Sequence, residues 1–247
     1  MSLWQEWATT ALDLFFPPFC PLCHLRLGER RRDPLCGSCW EGLERLLPPY
    51  CESCGRPFPR FERGGSREGS PCEACRRSRP RFTYARAATL YGGRVREALH
   101  VLKFGGKTAV AQPLGDLLAE VGSSMVPVND VHCLVPVPLH PSREAERGFN
   151  QSVLLARRVS RRWGVPAEAK VLRRQRATRP QTDLDAAERR ANVKGAFELR
   201  RSHVVEGRHV LLVDDVLTTG ATAGECARVL LNGGAATVGV LTVARVP

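Results

Sequence analysis

The sequence lacks the features that would place the protein within a membrane or outside the cell. None of its 247 residues belongs to an apolar run of about 18, the length that a transmembrane helix needs. The N-terminus has neither a basic first segment nor an A-x-A-like cleavage site, the marks of a secretory signal peptide. We therefore expect a cytoplasmic protein with no integral membrane segment, and peripheral attachment to the inner membrane stays open.

Aromatic residues and lysine are also scarce. Phe, Trp and Tyr make up 6% of the chain. The N-terminal third offers Trp40, Tyr50 and Phe58, too few to predict a surface that stacks nucleic-acid bases. Four of the 37 basic residues are lysine and the others are arginine, which suits bidentate binding of phosphate. A GC-rich genome would give the same excess, so composition alone assigns no function.

Positive charge is abundant but unevenly placed. The formal net charge is +12, of which residues 1–80 contribute +2 and residues 81–247 contribute +10. Residues 140–190 hold 13 basic and 6 acidic residues. Such a surface attracts polyanions, and a nucleotide, a nucleic acid or an anionic membrane would each satisfy it.

Cysteine usage divides the chain. Eight of the ten cysteines form four C-x-x-C pairs, Cys20/Cys23, Cys36/Cys39, Cys51/Cys54 and Cys72/Cys75. Each pair places two sulfurs on one side of a tight turn, and two pairs complete a tetrahedral thiolate shell for zinc. A reducing cytosol disfavours disulfides, and a thioredoxin-like redox pair would need a βαβ context that is absent. The spacing leaves open whether one or two ions bind and how the pairs combine.

Zinc would also solve a folding problem. Residues 20–80 contain too few periodic apolar positions for a core, so metal ligation would supply the stability of this module. Four thiolates leave no open coordination position, which predicts a structural metal. Residues 60–70 are predicted to form a surface loop between the cysteine pairs. Cys133 and Cys226 lie in apolar segments and are predicted to be buried and inert.

The first nineteen residues form at most one amphipathic helix, which Pro17-Pro18 ends. Its apolar positions are Leu3, Trp7, Ala11, Leu14 and Phe15. The polar face carries no Lys or Arg, which a helix at a membrane surface usually shows. Docking on the rest of the protein is therefore favoured, and a partner interface remains the alternative.

From residue 81 the pattern alternates between apolar runs and helical periodicity, which predicts an α/β domain with a mostly parallel sheet. The predicted strands are Ala85–Tyr91, Val131–Val137, Arg208–Val213 and Ala236–Val243. The predicted helices are Gly93–Phe104, Ala109–Gly122, Gly148–Trp163, Asp183–Val193 and Ala221–Asn232. The third of these helices is expected to carry Arg157, Arg158, Arg161 and Arg162 on its outer side.

The strand Arg208–Val213 runs directly into Asp214-Asp215, and a loop over residues 216–222 leads to the next helix. In open α/β sheets, ligands bind beyond the carboxyl ends of strands. Backbone N–H groups and Thr hydroxyls at a helix N-terminus form a phosphate cradle, and Gly220 allows close approach. The two carboxylates would repel a bare phosphate but can accept hydrogen bonds from ribose hydroxyls. Together these elements predict a ribose 5-phosphate site.

Residues 210–222 closely resemble the phosphoribosyl-diphosphate (PRPP) signature of type I phosphoribosyltransferases. The resemblance implies that Asp214 and Asp215 hold the 2′ and 3′ hydroxyls of the ribose. It also implies that the 5-phosphate is held by Thr218, Thr219, Gly220, Ala221 and Thr222. A Mg²⁺ ion bridging ribose and diphosphate oxygens is implied as well, since the protein need not supply a full cage.

The same resemblance places a pyrophosphate-binding loop at Pro136, Val137 and Pro138. Arg143, Arg147 and the following residues 148–151 are predicted to form a mobile basic segment that could fold over a diphosphate. Lys103 is a further candidate partner for its charge. For each of these basic residues, an ordinary solvated surface position is the competing interpretation.

Several phrases occur in one order along the chain, after Phe16-Pro17-Pro18 and the cysteine pairs. They are residues 135–140, 147–151 and 190–197, followed by the PRPP loop. This combination resembles the ComF family, the competence-associated phosphoribosyltransferase-like proteins of bacteria. Membership implies a zinc-ribbon module on a type I phosphoribosyltransferase fold and a role in handling incoming single-stranded DNA. The expected organisation is a helix over 1–19, a zinc module over 20–80 and a phosphoribosyltransferase-like domain over 81–247.

Two functions of different classes follow. In the first, the protein handles single-stranded DNA together with competence and DNA-uptake proteins, and PRPP or another phosphoribosyl ligand occupies the Asp214/Asp215 site. In the second, it is an enzyme that transfers the phosphoribosyl group from PRPP to a nitrogenous acceptor. No residue can be named from the sequence as a catalytic base or as an acceptor-binding group, so the enzyme hypothesis rests on the PRPP loop.

Overall fold

The computed structural model describes residues 19–28, 34–58, 69–178 and 186–247. The helix predicted over 1–19 and the loop predicted over 60–70 lie almost wholly outside these ranges. The strands are β1 (Tyr84–Leu90), β2 (Cys133–Pro136), β3 (Leu172–Arg174), β4 (Phe197–Leu199), β5 (His209–Leu217) and β6 (Thr237–Arg245). The α-helices are α1 (Gly37–Glu41), α2 (Glu73–Arg77), α3 (Gly93–Phe104), α4 (Ala111–Met125), α5 (Pro141–Arg147), α6 (Gln151–Trp163), α7 (Ala186–Val193) and α8 (Ala221–Asn232).

Four strands form a parallel sheet in the order β1-β6-β5-β2. Alternate residues of β5 enter two different cores. Leu211 and Val213 pack with α3, α4 and α6, whereas Val210 and Leu212 pack with α8. A sheet that is covered on both faces needs apolar side chains at successive positions, which is why this strand is a continuous apolar run. The predicted α/β class with a mostly parallel sheet is confirmed.

The sequence-based boundaries are right where caps are clear and wrong where a strand crosses polar residues. The helices α3 and α8 have the predicted bounds. The strand predicted to end at Val213 continues through both aspartates to Leu217, because its ladder with β6 extends that far. The helix predicted to begin at Gly148 begins at Gln151, since the Asn150 side chain accepts a hydrogen bond from the Ser152 amide at 2.9 Å.

The arginines of α6 are not all on its outer side. Arg157, Arg161 and Arg162 are exposed, but Arg158 is half-buried. Its guanidinium donates two hydrogen bonds, of 2.8 and 2.6 Å, to the Asp116 carboxylate on α4. A β-carbon at Gly115 would lie 2.6 Å from the Arg158 side chain, so the glycine makes room for this pair. Arg158 therefore joins two helices, which corrects the prediction for this residue.

In the stretch of chain between β2 and β5, strands β3 and β4 form a separate antiparallel pair that was not predicted from the sequence. Each strand has three residues, and they include the charged Arg173, Arg174 and Glu198. Strands this short and charged have no alternating apolar pattern to reveal them. The pair is held by burial of Leu172 and Phe197 in the core on the α8 side of the sheet.

The cysteine-rich module attaches to the edge of the sheet. The segment before the third cysteine pair forms an antiparallel bridge between Arg45 and Thr89 of β1. The Leu46 amide donates to Ala88 O at 3.1 Å, and the Leu90 amide donates to Glu44 O at 3.0 Å. These bonds satisfy backbone groups that an edge strand would otherwise expose. Among the described residues, no helix is long and apolar enough to cross a bilayer.

Candidate functional site

The eight paired cysteines form two separate clusters, and each cluster is made of consecutive pairs. The first cluster is Cys20, Cys23, Cys36 and Cys39; the second is Cys51, Cys54, Cys72 and Cys75. Within each cluster all Sγ atoms lie within 4.8 Å of one another. We call these clusters the first and the second ribbon. The spacing left open how the pairs combine; in the structure the first pair combines with the second and the third with the fourth, which gives two sites.

The geometry of both ribbons fits tetrahedral zinc. Two sulfurs on one Zn²⁺, each at about 2.3 Å, would lie about 3.8 Å apart. The Cys23 and Cys36 Sγ atoms are 3.4 Å apart, and those of Cys54 and Cys72 are 3.7 Å apart. The Cys51 sulfur also accepts a hydrogen bond from the Cys72 amide at 3.1 Å, which stabilises a thiolate. Four thiolates around each position support structural zinc. The remaining cysteines, Cys133 and Cys226, are fully buried as predicted.

The two adjacent aspartates at the end of β5 have different partners. Asp215 is 4% exposed, and its Oδ2 forms an ion pair with the Lys103 ammonium from α3. The Gln151 side chain donates to Asp215 Oδ1 at 3.4 Å. Asp214 Oδ1 accepts a hydrogen bond from the Ser152 hydroxyl at 2.8 Å and another from the Asp215 amide at 2.9 Å. Two helices and the strand end therefore meet at this carboxylate pair.

The two carboxyl groups are shifted in opposite directions. Burial and then the neighbouring Asp215 charge raise the pKa of Asp214 to about 7. Burial also acts to raise the pKa of Asp215, but the Lys103 ammonium outweighs it and lowers that pKa. The pair therefore keeps one carboxylate ionised near neutral pH, while the other can accept or hold a proton. Such a pair suits ligand hydroxyl groups, which can donate to a carboxylate oxygen.

The predicted phosphate cradle, Thr218–Thr222, follows β5 and enters α8. Gly220 adopts φ +78°, a left-handed conformation that other residues rarely adopt, and it is the N-cap of α8. Because Gly220 has no side chain to cap the helix, the amides of the first turn face the loop. The Ala221 amide donates a hydrogen bond to the Thr219 hydroxyl at 3.4 Å. Amides of this kind at a helix N-terminus attract a phosphate group.

The structure brings part of the predicted pyrophosphate side to the carboxylates. Lys103 contacts Asp215 directly. Arg147 donates a hydrogen bond to Gln151 Oε1 at 2.6 Å, and its guanidinium lies 5.3 Å from the Phe104 ring centre. It also interacts electrostatically with the Asp215 carboxylate. These cations therefore lie on one side of the aspartate pair.

The loop that follows β2 runs beside the same strand end. Pro136 ends β2, the Val137 amide donates to Val213 O at 2.9 Å, and Pro138 follows. Arg143 is exposed on α5, and its charge reaches Arg147. Of the segment predicted to be mobile, Arg143 and Arg147 lie in α5, and Gln151 begins α6. The His140 ring caps α5 by accepting a hydrogen bond from the Ser142 amide at 3.3 Å.

Sequence reasoning missed Ser152 and Arg174 at this site, and it assigned Gln151 to the segment over the diphosphate rather than to the aspartates. Gln151 and Ser152 contact the two aspartates, and only the cap at Asn150 could have indicated that the first turn of α6 faces them. Arg174 on β3 is half-buried, stacks 5.4 Å from the Phe197 ring centre and feels the charge of Asp214. No signal in the sequence pointed to Arg174, because the short β3–β4 pair that presents it has no pattern.

Two domain families match the chain. A double zinc ribbon domain covers residues 11–79, and a phosphoribosyl transferase domain covers residues 150–247. Among solved structures, adenine phosphoribosyltransferase from Leishmania tarentolae aligns with 18% identity and a TM-score of 0.35, over 58% of this chain and 60% of that chain.

Curated relatives match nearly the whole chain. DNA utilization protein YhgH of Escherichia coli O157:H7 is 34% identical over 235 residues, or 94% of this chain and 99% of that protein. Competence protein ComFC of Bacillus subtilis is 30% identical over 86% of this chain and 85% of that protein. Competence protein F of Haemophilus influenzae is 29% identical over 87% and 91%. Because these relatives are up to 34% identical over most of both chains, and both domain families match this chain, the chain belongs to the ComF family.

Proposed function

We propose that the protein binds PRPP or a related phosphoribosyl ligand at the Asp214/Asp215 site and handles single-stranded DNA during competence-related DNA uptake. One observation carries the ligand assignment: a partnered carboxylate pair lies near the carboxyl end of a strand that leads into a helix whose N-cap is Gly220. The first element suits ribose hydroxyls and the second suits the 5-phosphate. Relatives that are named for competence and DNA utilization support the DNA part.

On the opposite side of the ribose, Lys103 and Arg147 would face the diphosphate. The backbone of Pro136, Val137 and Pro138 would line its path, and Arg143 would attract it from solution. A Mg²⁺ ion fits this site as a companion of the ligand, since two carboxylates are present without a complete cage. Mg²⁺ would neutralise diphosphate oxygens while the protein groups orient the ribose.

Calorimetry with Mg-PRPP tests the ligand site. We expect Asp214→Asn/Asp215→Asn to weaken binding at least about tenfold, because a hydrogen bond to a charged group contributes about 1.5–3 kcal/mol. Asp130→Asn is the matched control, since Asp130 is exposed and lies outside the site. Equal affinities for wild type and the double variant would reject the assignment.

The DNA part is supported by the +10 charge of residues 81–247 and by the exposed Arg157, Arg161 and Arg162. Backbone binding by such a surface releases counterions, so its affinity falls steeply with salt. A mobility-shift series with single-stranded DNA should show tight binding at low salt that is lost as salt rises. Absence of binding at low salt would count against the proposal.

A phosphoribosyltransferase activity is the second candidate, and Arg174 favours it. This arginine lies on the β3–β4 pair and interacts electrostatically with the Asp214 carboxylate. It would therefore lie near the reacting end of a bound ribose. A nitrogenous acceptor with a carbonyl or phosphate group would suit its guanidinium. Pyrophosphate release in a screen of purine, pyrimidine and small amine acceptors is the test. An acceptor that drives release in wild type but not in Arg174→Ala would establish the enzyme.

A further inference from the structure

A cavity of about 490 Å³ lies beside the phosphate loop, on the side that the ribose site does not use. It is enclosed by the second ribbon, α7 and α8, and is bordered by the loop residues Thr219, Gly220 and Ala221. Neither Asp214 nor Asp215 lines it. Its volume falls within the range of about 300–1,000 Å³ that is usual for ligand sites. The carboxylate pair thus precedes the phosphate loop in the chain, and the cavity lies next to the loop in space.

The cavity is strongly cationic. Five exposed cations line it: Arg56, Arg79, Arg81, Arg190 and Lys194. Among the described residues that line the cavity, Glu225 supplies the one carboxylate, and this carboxylate already accepts hydrogen bonds from neighbouring residues. Arg228 donates two hydrogen bonds to it, of 3.0 and 2.7 Å, and the Gly195 amide donates a third at 2.7 Å. A zinc ion held by the four thiolates of the second ribbon would leave that cluster with a formal charge of about −2, and the cavity would still keep a positive excess.

One wall of the cavity is built around a buried guanidinium. Arg245, which ends β6, is 3% exposed. Its Nε donates to Cys54 O at 3.0 Å, and its Nη1 donates to Leu217 O at 3.1 Å and to Thr218 O at 2.6 Å. These bonds join the second ribbon to the start of the phosphate loop. Arg245 thus fixes the position of the second ribbon relative to the phosphate loop by donating hydrogen bonds to backbone carbonyls of both.

We infer that the cavity receives the upstream phosphodiesters of a single DNA strand whose 3′-terminal nucleotide occupies the ribose-phosphate site. The inference rests on the function proposed above for Asp214, Asp215 and the loop. A 3′-terminal nucleotide has a free 3′ hydroxyl to donate to a carboxylate. Its 5′-phosphate would lie on the amides of the loop and is esterified to the rest of the strand. That strand then leaves on the phosphate side, where the cationic cavity lies.

Internal nucleotides and blocked ends fit poorly for an electrostatic reason. Each internal nucleotide carries a phosphate on its 3′ oxygen, so this oxygen has no hydrogen to donate to Asp214 or Asp215. The phosphate charge would also lie against the two carboxylates. A terminal 2′ hydroxyl would add a second donor for the pair. The site therefore favours a ribonucleotide 3′ end over a deoxyribonucleotide 3′ end, and both over a 3′-phosphate.

Fluorescence anisotropy with a 5′-labelled strand of about 12 nucleotides tests the inference. Three ends are compared: a deoxyribose 3′ hydroxyl, a terminal ribonucleotide and a 3′-phosphate. We expect the 3′-phosphate to bind at least about tenfold more weakly than the 3′ hydroxyl, and the ribonucleotide to bind most tightly. Excess Mg-PRPP should displace the end-specific component. Equal dissociation constants for the three strands would overturn the inference.

The cavity is tested by Arg190→Ala/Lys194→Ala. Losing two phosphate contacts on a single strand should reduce the magnitude of the slope of log affinity against log salt by about 1.4, while calorimetric Mg-PRPP affinity stays unchanged. The matched control is Arg201→Ala/Arg208→Ala, two exposed arginines that lie outside the cavity lining and outside α6, which should keep the discrimination between 3′ ends and the salt slope. An unchanged salt slope and affinity in the cavity variant would overturn the inference. Because PRPP binding is measured separately, failure of the proposed ligand site would be recognised on its own.

Discussion

The two ribbons have the same ligands but are joined to the rest of the molecule in different ways. The first ribbon packs through apolar side chains, with Leu22 and Trp40 lying against the main core. The second is joined by hydrogen bonds: Ser53 O accepts from the Ala85 amide at 2.9 Å, and Cys54 O accepts from Arg245. It also forms part of the cavity wall. The first ribbon thus stabilises the fold, whereas the second is connected to the phosphate loop.

The largest effect should come from removing one zinc site at a time. We expect Cys75→Ser to lower the zinc content from two ions to one and to weaken Mg-PRPP binding about tenfold, because the anchor of Arg245 moves. Cys39→Ser should lose one ion as well but keep the affinity of the folded protein within about twofold. Elemental analysis and calorimetry on both variants measure this. Equal losses of affinity would show that the ribbons do not differ in function.

Arg245 provides the next largest effect. Replacing it with Met removes its hydrogen bonds to the backbone carbonyls of Cys54, Leu217, Thr218 and Val246, and we expect a loss of about 3 kcal/mol in the free energy of unfolding. Arg94, beside the first ribbon, forms an exposed ion pair with Glu97 at 2.7 Å, and solvent screens such pairs, so Arg94→Met should cost much less stability than Arg245→Met. Urea denaturation compares the two. Similar losses would remove Arg245 as the link between ribbon and loop.

A smaller effect separates the carboxylates from both ribbons. Burial raises the pKa of Asp214 to about 7. Between about pH 4 and pH 7 the folded protein therefore keeps the proton on Asp214, whereas the unfolded chain has lost it. Stability from this group is therefore present at acid pH and is lost as pH rises from about 4 to 7. The stability of Asp214→Asn relative to wild type should therefore rise by about 2–3 kcal/mol between about pH 5 and pH 8. Zinc release would act in the opposite direction, since protons compete for thiolates at low pH.

Thermal unfolding at several pH values measures the difference between Asp214→Asn and wild type. Cys39→Ser and Cys75→Ser serve as controls, because both retain Asp214 and should keep the wild-type decline. A constant difference between Asp214→Asn and wild type across this range would contradict the raised pKa.

Much of the fold could be predicted where a local pattern carries the information. The helix α8 has an apolar face and ends before Gly233-Gly234, and its predicted bounds were right. The strand β5 was found from its apolar run, but its continuation through Asp214 and Asp215 was missed. Those carboxylates are tolerated in the strand because Lys103, Gln151 and Ser152 engage them, and no local pattern shows such partners.

The sequence by itself determined the chemistry of this protein: thiolates in pairs at knuckle spacing, and two carboxylates followed by a small-residue loop. These depend on residue types at short separations, which local geometry turns into a site. Only the tertiary structure decided that consecutive cysteine pairs combine, that Lys103 meets Asp215 and that Arg245 joins the second ribbon to the loop. Such contacts join residues far apart in the chain, and their formation depends on how the sheet and helices pack.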